Sequence, residues 1–257
     1  MIPKDDRGFA LGDGLFETVL AEAGALRRLD DHLDRMTAGC AVLGLPAPDR
    51  AAAERLMIQA LGEAGLAGAR AAVRLTWTAG GGGRGLDRPQ TLQPRMVATA
   101  APAPKPAGPA RLMVSAVRRN ERSPTSRLKT LAYLDNVLAR RAARAAGADE
   151  ALMLDTGGRV ACAAAANLFW LRDGRLFTPA LDCGVLAGLA RARVIAAARG
   201  RGLGVEEVAE GAEILAAAQA VFLTNSLIGV RPVAAIGDRT YEESRLVDVF
   251  ANVLAES

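Results

Sequence analysis

The stretch RLKTLAYLDNVLARRAARAAG, residues 127 to 147, joins a lysine to a strongly patterned apolar segment. Leu131, Leu134, Val137 and Leu138 recur at helical spacing, which predicts a helix from about Thr130 to Ala146 with those four side chains as its buried stripe. If that helix starts at Lys129, Tyr133 follows four residues on, and amine and phenol share one face. Lysine occurs only at Lys4, Lys105 and Lys129 among 32 basic residues, so arginine serves almost wherever a positive charge suffices. A guanidinium keeps its proton at any working pH and cannot replace a lysine that must become neutral and attack a carbonyl. Lys129 is therefore a candidate for amine chemistry. Spacing alone suits a surface ion-pair lysine beside a core tyrosine equally well.

Toward the C-terminus, EALMLD and RVACA flank the turn Thr156-Gly157-Gly158, and NLFWLR turns at Asp173-Gly174 into RLFTP, all read as strands. A helix is expected from Leu189 to about Arg199, then a short helix at GAEILAAAQ, the strands AVFLTN and VRPVAAI, and a closing amphipathic helix. Gly188 stands just before a helix. The free amides of Leu189 and Ala190, with the positive end of the helix dipole, suit an anion such as a phosphate, although a glycine often simply opens a helix. Thr224, Asn225 and Ser226 offer hydroxyl and amide groups to the same anion, or form a turn.

Toward the N-terminus, a strand at LMVSAV is preceded by APAPKPAGPAR, residues 101 to 111, whose prolines favour a stiff, extended connection. Two domains are expected, 1–104 and 112–257, joined by a linker at 105–111. In the first, LFETVLAEAGALRRL reads as two strands around Glu22 to Gly24. A helix follows through Leu33 to Leu43, opened by the cap candidate Asp30, and a second spans about Ala51 to Ala64. The strands ARAAVRLTW and RMVATA are joined through TAGGGGRGLDRPQ, a connecting loop that lacks the GKS or GKT ending of a phosphate loop.

Hydrophobic residues make up 51% of the chain and charged residues 23%, but no apolar run is long enough to cross a bilayer. The start, MIPKDDRGFALGDG, lacks the apolar stretch of a signal peptide. Cys40, Cys162 and Cys183 have neither zinc nor CxxC spacing and read as free thiols in a reducing cytoplasm. The net charge of +4 comes from scattered arginines with only 4% aromatics, which speaks against a nucleic-acid partner. His32, the single histidine, has no GxSxG or cysteine signature beside it and reads as structural. Asp5-Asp6 and Asp30-Asp31 look like turn and cap residues, and no metal site is visible.

In order along the chain, DRGFALGDGLFET, HLDRM, GGRG, RLKTLAYLDNVLA, DEALMLDTGGRV, ANLFW, LFTP, GVLAGLAR and FLTNSLIGVRPV resemble the motifs of the fold-type IV pyridoxal-phosphate enzymes. That group contains the branched-chain and D-amino-acid aminotransferases and aminodeoxychorismate lyase. The resemblance implies an α+β fold of two domains, a small N-terminal α/β sandwich and a C-terminal pseudo-barrel. It also implies pyridoxal 5'-phosphate as cofactor, a small-molecule amino substrate and a homodimer. By the same carry-over, Lys129 holds the cofactor as an imine and moves the substrate proton, while Arg35 of HLDRM binds the phosphate with the amides of Leu189 and Ala190. Tyr133 approaches the phenolic oxygen, and Asn225 and Ser226 complete the phosphate end. Arg84 of GGRG meets a substrate carboxylate, with Leu11 and Leu227 shaping the substrate's surroundings.

Two departures bear on activity. Cys162 stands where the family usually carries a glutamate that keeps the pyridine nitrogen protonated. A thiol is a weak donor, so the electron sink is weakened. That favours elimination of pyruvate from 4-amino-4-deoxychorismate, which gains an aromatic ring, over transamination of D-amino or branched-chain acids. Leu11, where D-specific enzymes often have tyrosine, also counts against transamination of D-amino acids. A cofactor-binding protein without turnover is the third reading. Family members usually carry a strand ahead of the DRG motif, so either the fold manages without it or the start is truncated.

Overall fold

The structure is a computed structural model that describes residues 2–255, and its chain divides into two units. The first comprises Met1–Pro104 and Leu128–Ala132, the second Lys105–Arg127 and Tyr133–Ser257.

In the first unit, alternating apolar side chains build an antiparallel sheet of β1 (Gly14–Glu22), β2 (Ala25–Leu26), β3 (Ala71–Thr78) and β4 (Arg95–Pro102), in the order β2-β1-β3-β4. Leu15, Val19 and Ala21 of β1 and Val73, Leu75 and Trp77 of β3 share one face, as a period of two requires. They pack with Leu33 and Met36 of α2 (Leu29–Leu43) and Met57 and Leu61 of α3 (Arg50–Glu63). Asp49 caps α3 by accepting from Ala52 N at 2.7 Å. Asp30 caps nothing: α2 starts after Arg28, at φ 56°, and Asp30 lies in the first turn, where its charge meets the helix dipole. A short helix that the pattern does not announce, α1 (Arg7–Leu11), is capped by Asp6 and closed by Gly12 at φ 68°.

The second unit holds a mixed nine-stranded sheet: β5 (Ala110–Val114), β6 (Glu150–Leu154), β7 (Val160–Ala163), β8 (Asn167–Arg172), β9 (Arg175–Pro179), β10 (Val205–Val208), β11 (Ala220–Asn225), β12 (Gly229–Ile236) and β13 (Arg239–Thr240). The order is β10-β9-β8-β11-β12-β5-β6-β7, with β13 on β12, and β7 also lies against β8 and β9, so the sheet curls on itself. Both faces are covered, which explains the unbroken apolar run NLFWLR. Leu168 and Trp170 enter a core with Val221 and Leu223. Phe169 and Phe222 stack at 5.1 Å in another, under α5 (Leu189–Gly200) and α6 (Arg245–Ala255).

Three expectations are corrected here. The linker ends early, because β5 already begins at Ala110. The helix expected from Thr130 is α4 (Leu134–Ala145), and residues 128–132 belong to the first unit. Its buried face is not the leucine stripe: Asn136, Ala139 and Ala143 are buried, whereas Leu134 is 67% and Val137 56% exposed. Small alanines let α4 lie close on Ala151 and Met153 of β6. Among the described residues, no helix is long and apolar enough to cross a membrane, and no group of three or more His, Cys, Asp or Glu could hold a metal ion.

Candidate active site

Residues 128–132 run beside β1 outside any helix, with Thr130 bridged antiparallel to Leu15. Phe16 N donates to the Lys129 carbonyl at 2.9 Å and Leu131 N to the Gly14 carbonyl at 3.1 Å. Glycine is required at 14, since a Cβ there would stand 2.4 Å from the Trp77 carbonyl oxygen. Lys129 is thus on a non-helical segment, while Tyr133, at φ −106° and ψ 16°, only precedes α4 in the second unit. The shared helical face expected for amine and phenol does not exist.

The Lys129 amine lies 4.2 Å from the centre of the Phe16 ring, and the Arg74 guanidinium carbon lies 3.5 Å from the same centre. Burial pulls the amine's pKa from 10.5 down to about 8. Arg35 and Arg74 push the same way, and Glu17 opposes them. Such an amine is partly neutral near neutral pH and can both take and return a proton.

Glu17 is 1% exposed, at a core-side position of β1 between Leu15 and Val19. Its carboxylate receives a fork from Arg35, Nε at 2.7 Å and Nη2 at 2.6 Å, and a bond from His32 Nδ1 at 2.7 Å. Burial alone would raise its pKa, but the bonds from His32 and Arg35 bring it down to about 2. Arg35 therefore presents a guanidinium locked in orientation. Sequence reasoning missed Glu17 and Arg74. The available signal for Glu17 was a charge at a position where alternation demands an apolar side chain. Arg84 is exposed in the 79–94 loop, and Leu11 ends α1 at 47% exposure.

In the second unit, Gly188 opens α5 without any side-chain cap, so first-turn amides including those of Leu189 and Ala190 have no side-chain acceptor there. Asn167 buttresses this turn by donating from Nδ2 to the Leu186 carbonyl at 3.0 Å. Across the sheet Asn167 pairs with Thr224, whose fully buried hydroxyl has no hydrogen-bond partner among the described residues. An orphaned hydroxyl beside an uncapped helix start suits an anion. Asn225 is committed elsewhere: its Oδ1 accepts from Leu227 N at 2.9 Å and Ile228 N at 2.8 Å, and its Nδ2 donates to the Ala165 carbonyl at 2.9 Å. Its side chain therefore makes the turn, and Ser226 and Leu227 sit half-buried within it.

Cys162 is buried on β7 against Ala161, Cys183 and Val185. Burial pushes its thiol pKa up; Arg119 opposes this and Glu150 adds to it. Arg119 is held in place by the Gly184 carbonyl at 3.1 Å, the Ser126 carbonyl and Asn136 Oδ1 at 3.4 Å. Nothing in the local pattern around Arg119 marked it as a neighbour of Cys162.

Residues 14–236 match the profile of the family described as amino-transferase class IV. An aminodeoxychorismate lyase of Vibrio harveyi is 30% identical over 91% of this chain and 87% of its own. The crystal structure of 4-amino-4-deoxychorismate lyase from Pseudomonas aeruginosa superposes with a TM-score of 0.90 at 33% identity, covering 100% of this chain and 95% of that one. A branched-chain aminotransferase from Thermoproteus uzoniensis, solved with norvaline, gives a TM-score of 0.90 at 25% identity over 100% of this chain and 91% of its own.

Proposed function

Because the chain belongs to the class IV aminotransferase family, a family of pyridoxal-phosphate enzymes, we propose that it is a lyase that converts 4-amino-4-deoxychorismate to 4-aminobenzoate and pyruvate. The residues present fit the cofactor: an amine of lowered pKa for its aldehyde, and an uncapped helix start with the orphaned Thr224 hydroxyl for its phosphate. When bound, the cofactor withdraws electrons from the carbon that bears the substrate's nitrogen. Lys129 would hold the cofactor's aldehyde, and its amine, when free and neutral, would take the proton from that carbon. Arg35 is steadied by Glu17, and its share in holding the phosphate rests on the resemblance; in the second unit the amides of Leu189 and Ala190 suit the same charge. Tyr133 beside the phenolic oxygen and Ser226 near the phosphate rest on resemblance alone, as do Arg84, Leu11 and Leu227 around the substrate.

The observation that carries elimination over transamination is Cys162. Cys162 stands, by the resemblance, where the family carries the glutamate that faces the pyridine nitrogen; its buried thiol, with its pKa raised, stays neutral and would be only a weak donor to a strongly stabilised electron sink. A reaction that gains an aromatic ring needs less of one. Transamination is the second reading, favoured by Arg74, which places a cation suited to an amino-acid carboxylate near the Lys129 amine. We extend the proposal to a cytoplasmic homodimer, supported by the apolar strip left open at Leu134 and Val137 and by three free cysteines.

The test is an absorbance spectrum of the purified protein before and after borohydride, beside Lys129→Ala, followed by incubation with 4-amino-4-deoxychorismate. A borohydride-sensitive band absent from the variant, with 4-aminobenzoate formed, is the expected result. Intact cofactor binding with pyruvate-dependent amine transfer and no 4-aminobenzoate decides for the transaminase.

A further inference from the structure

Arg7 opens α1, yet its side chain is only 6% exposed. Its Nε pairs with Asp13 Oδ2 at 3.0 Å, and its terminal nitrogens donate to four backbone carbonyls: Leu86 at 3.0 Å, Asp87 at 3.1 Å, Gly85 at 3.2 Å and Gly82 at 3.5 Å. A permanent charge this buried is costly unless its donors are met, and here one carboxylate and a ring of carbonyls meet them. The ring is the 82–88 loop itself, folded around the guanidinium. Arg84 and Asp87 exchange backbone hydrogen bonds at 3.1 Å, and Gly83, at φ 81°, lets the Asp87 carbonyl approach where a Cβ would be 2.1 Å away. Arg88 forks onto the same Asp13 at 3.0 and 2.5 Å and reaches the Leu43 carbonyl at 2.6 Å, pinning the loop's far end.

The loop is held from within while Arg84 and Leu86, the latter 85% exposed, face outward. One guanidinium therefore ties the helix that carries Leu11 to the loop that carries Arg84. We propose that Arg7 is a positioning residue for substrate selection, holding the 82–88 loop in a fixed shape so that Arg84 meets a substrate carboxylate at a preset place. This rests on the reading of Arg84 given under the proposed function. A stretch with glycine at 80 to 83 and at 85 would otherwise sample many conformations, and substrate binding would have to order it. That cost falls on binding and not on the later chemistry at Lys129, so it appears in KM.

The experiment compares Arg7→Gln, Arg84→Gln and the double variant in 4-aminobenzoate formation, with hydrogen exchange of residues 82–88 measured on the same proteins. Arg7→Gln is expected to raise KM about tenfold with kcat within about twofold, to speed exchange in the loop and to leave the borohydride-sensitive band unchanged. The double variant is expected to be no worse than Arg84→Gln alone, because a positioning residue loses its effect once the group it positions is gone. Arg7→Lys, which keeps the charge toward Asp13 but not the planar fork, is expected to shift KM the same way and covers the case in which the glutamine variant does not fold. Losses from Arg7 and Arg84 that add in full, a fall in kcat at constant KM, or unchanged loop exchange would each overturn the proposal. An unaltered KM in Arg84→Gln overturns it through its premise. Absence of turnover in the unmodified enzyme strikes the lyase reading instead, and that control is read separately.

Discussion

Gly188→Ala tests the anion site at the start of α5 without straining the backbone. At φ −71° and ψ 138° any residue is accommodated, so the effect is steric. The new Cβ would stand 2.0 Å from Asn167 Oδ1. A carbon and an oxygen in contact keep about 3.3 Å, so roughly 1.3 Å must be found. Asn167 resists giving it, because its Nδ2 holds the Leu186 carbonyl at 3.0 Å and its backbone is paired with Thr224. Breaking that hydrogen bond costs about 1–3 kcal/mol and lets the 186–188 turn drift, carrying the first amides of α5 with it. Phosphate affinity should then fall by about 5- to 150-fold. Equilibrium titration of the unloaded protein with pyridoxal phosphate and with unphosphorylated pyridoxal, followed by absorbance, separates the phosphate's share. A selective loss for the phosphorylated form is the expected result. Unchanged affinity, or a parallel loss for both compounds, would refute the reasoning.

The remaining predictions concern charge. With a pKa of about 8 against 10.5 for an ordinary lysine, roughly a quarter of Lys129 is neutral at about pH 7.5, compared with about one in a thousand for an unperturbed amine. Reductive labelling of unloaded protein with a small aldehyde, read by mass spectrometry, should therefore modify Lys129 far faster than Lys4 or Lys105, and equal rates would count against the lowered pKa. Glu17 is depressed from 4.5 to about 2, so its contribution to stability is complete above 4.5 and is lost as pH falls toward 2. The gap in denaturant stability between the wild type and Glu17→Gln should shrink over that window, and a gap constant with pH would contradict the ion-pair account. Cys162→Glu, which restores the carboxylate the family usually carries at this position, should on the proposed reading raise pyruvate-dependent amine transfer by about tenfold or more. No gain would remove Cys162 from the argument for elimination.

β1 and β3 were legible because their side chains alternate, and strands such as NLFWLR because short apolar runs end at turn residues, with burial on both faces explaining the unbroken run. The surroundings of Lys129 were not. Leu131, Leu134, Val137 and Leu138 satisfy a helical period, but the helix that forms buries Asn136, Ala139 and Ala143. Alanine carries almost no hydrophobic signal, although its small size is what permits close packing on β6. The leucine spacing therefore started the helix at about Thr130, next to Lys129, whereas α4 begins at Leu134 and Lys129 lies on a non-helical segment beside β1. Arg7 was harder still. Its partners are backbone carbonyls 75 to 80 residues away, and a carbonyl leaves no trace in the residue types.

The scarcity of lysine gains a physical reason around Glu17. Arg35 and Lys129 both carry positive charge near that carboxylate, yet their tasks exclude each other's chemistry. Arg35 must stay charged to hold a bidentate fork, which a planar guanidinium does and an ammonium cannot. By staying charged it also presses the Lys129 amine toward its neutral form, as Arg74 does. Glu17, kept ionised by Arg35 and His32, limits that pressure and retains enough protonated amine for the proton to be handed back. An arginine at 129 would have no reactive neutral form, and a lysine at 35 would share its titration with the residue it has to bias. A chain that confines lysine to three positions keeps those two roles chemically separate.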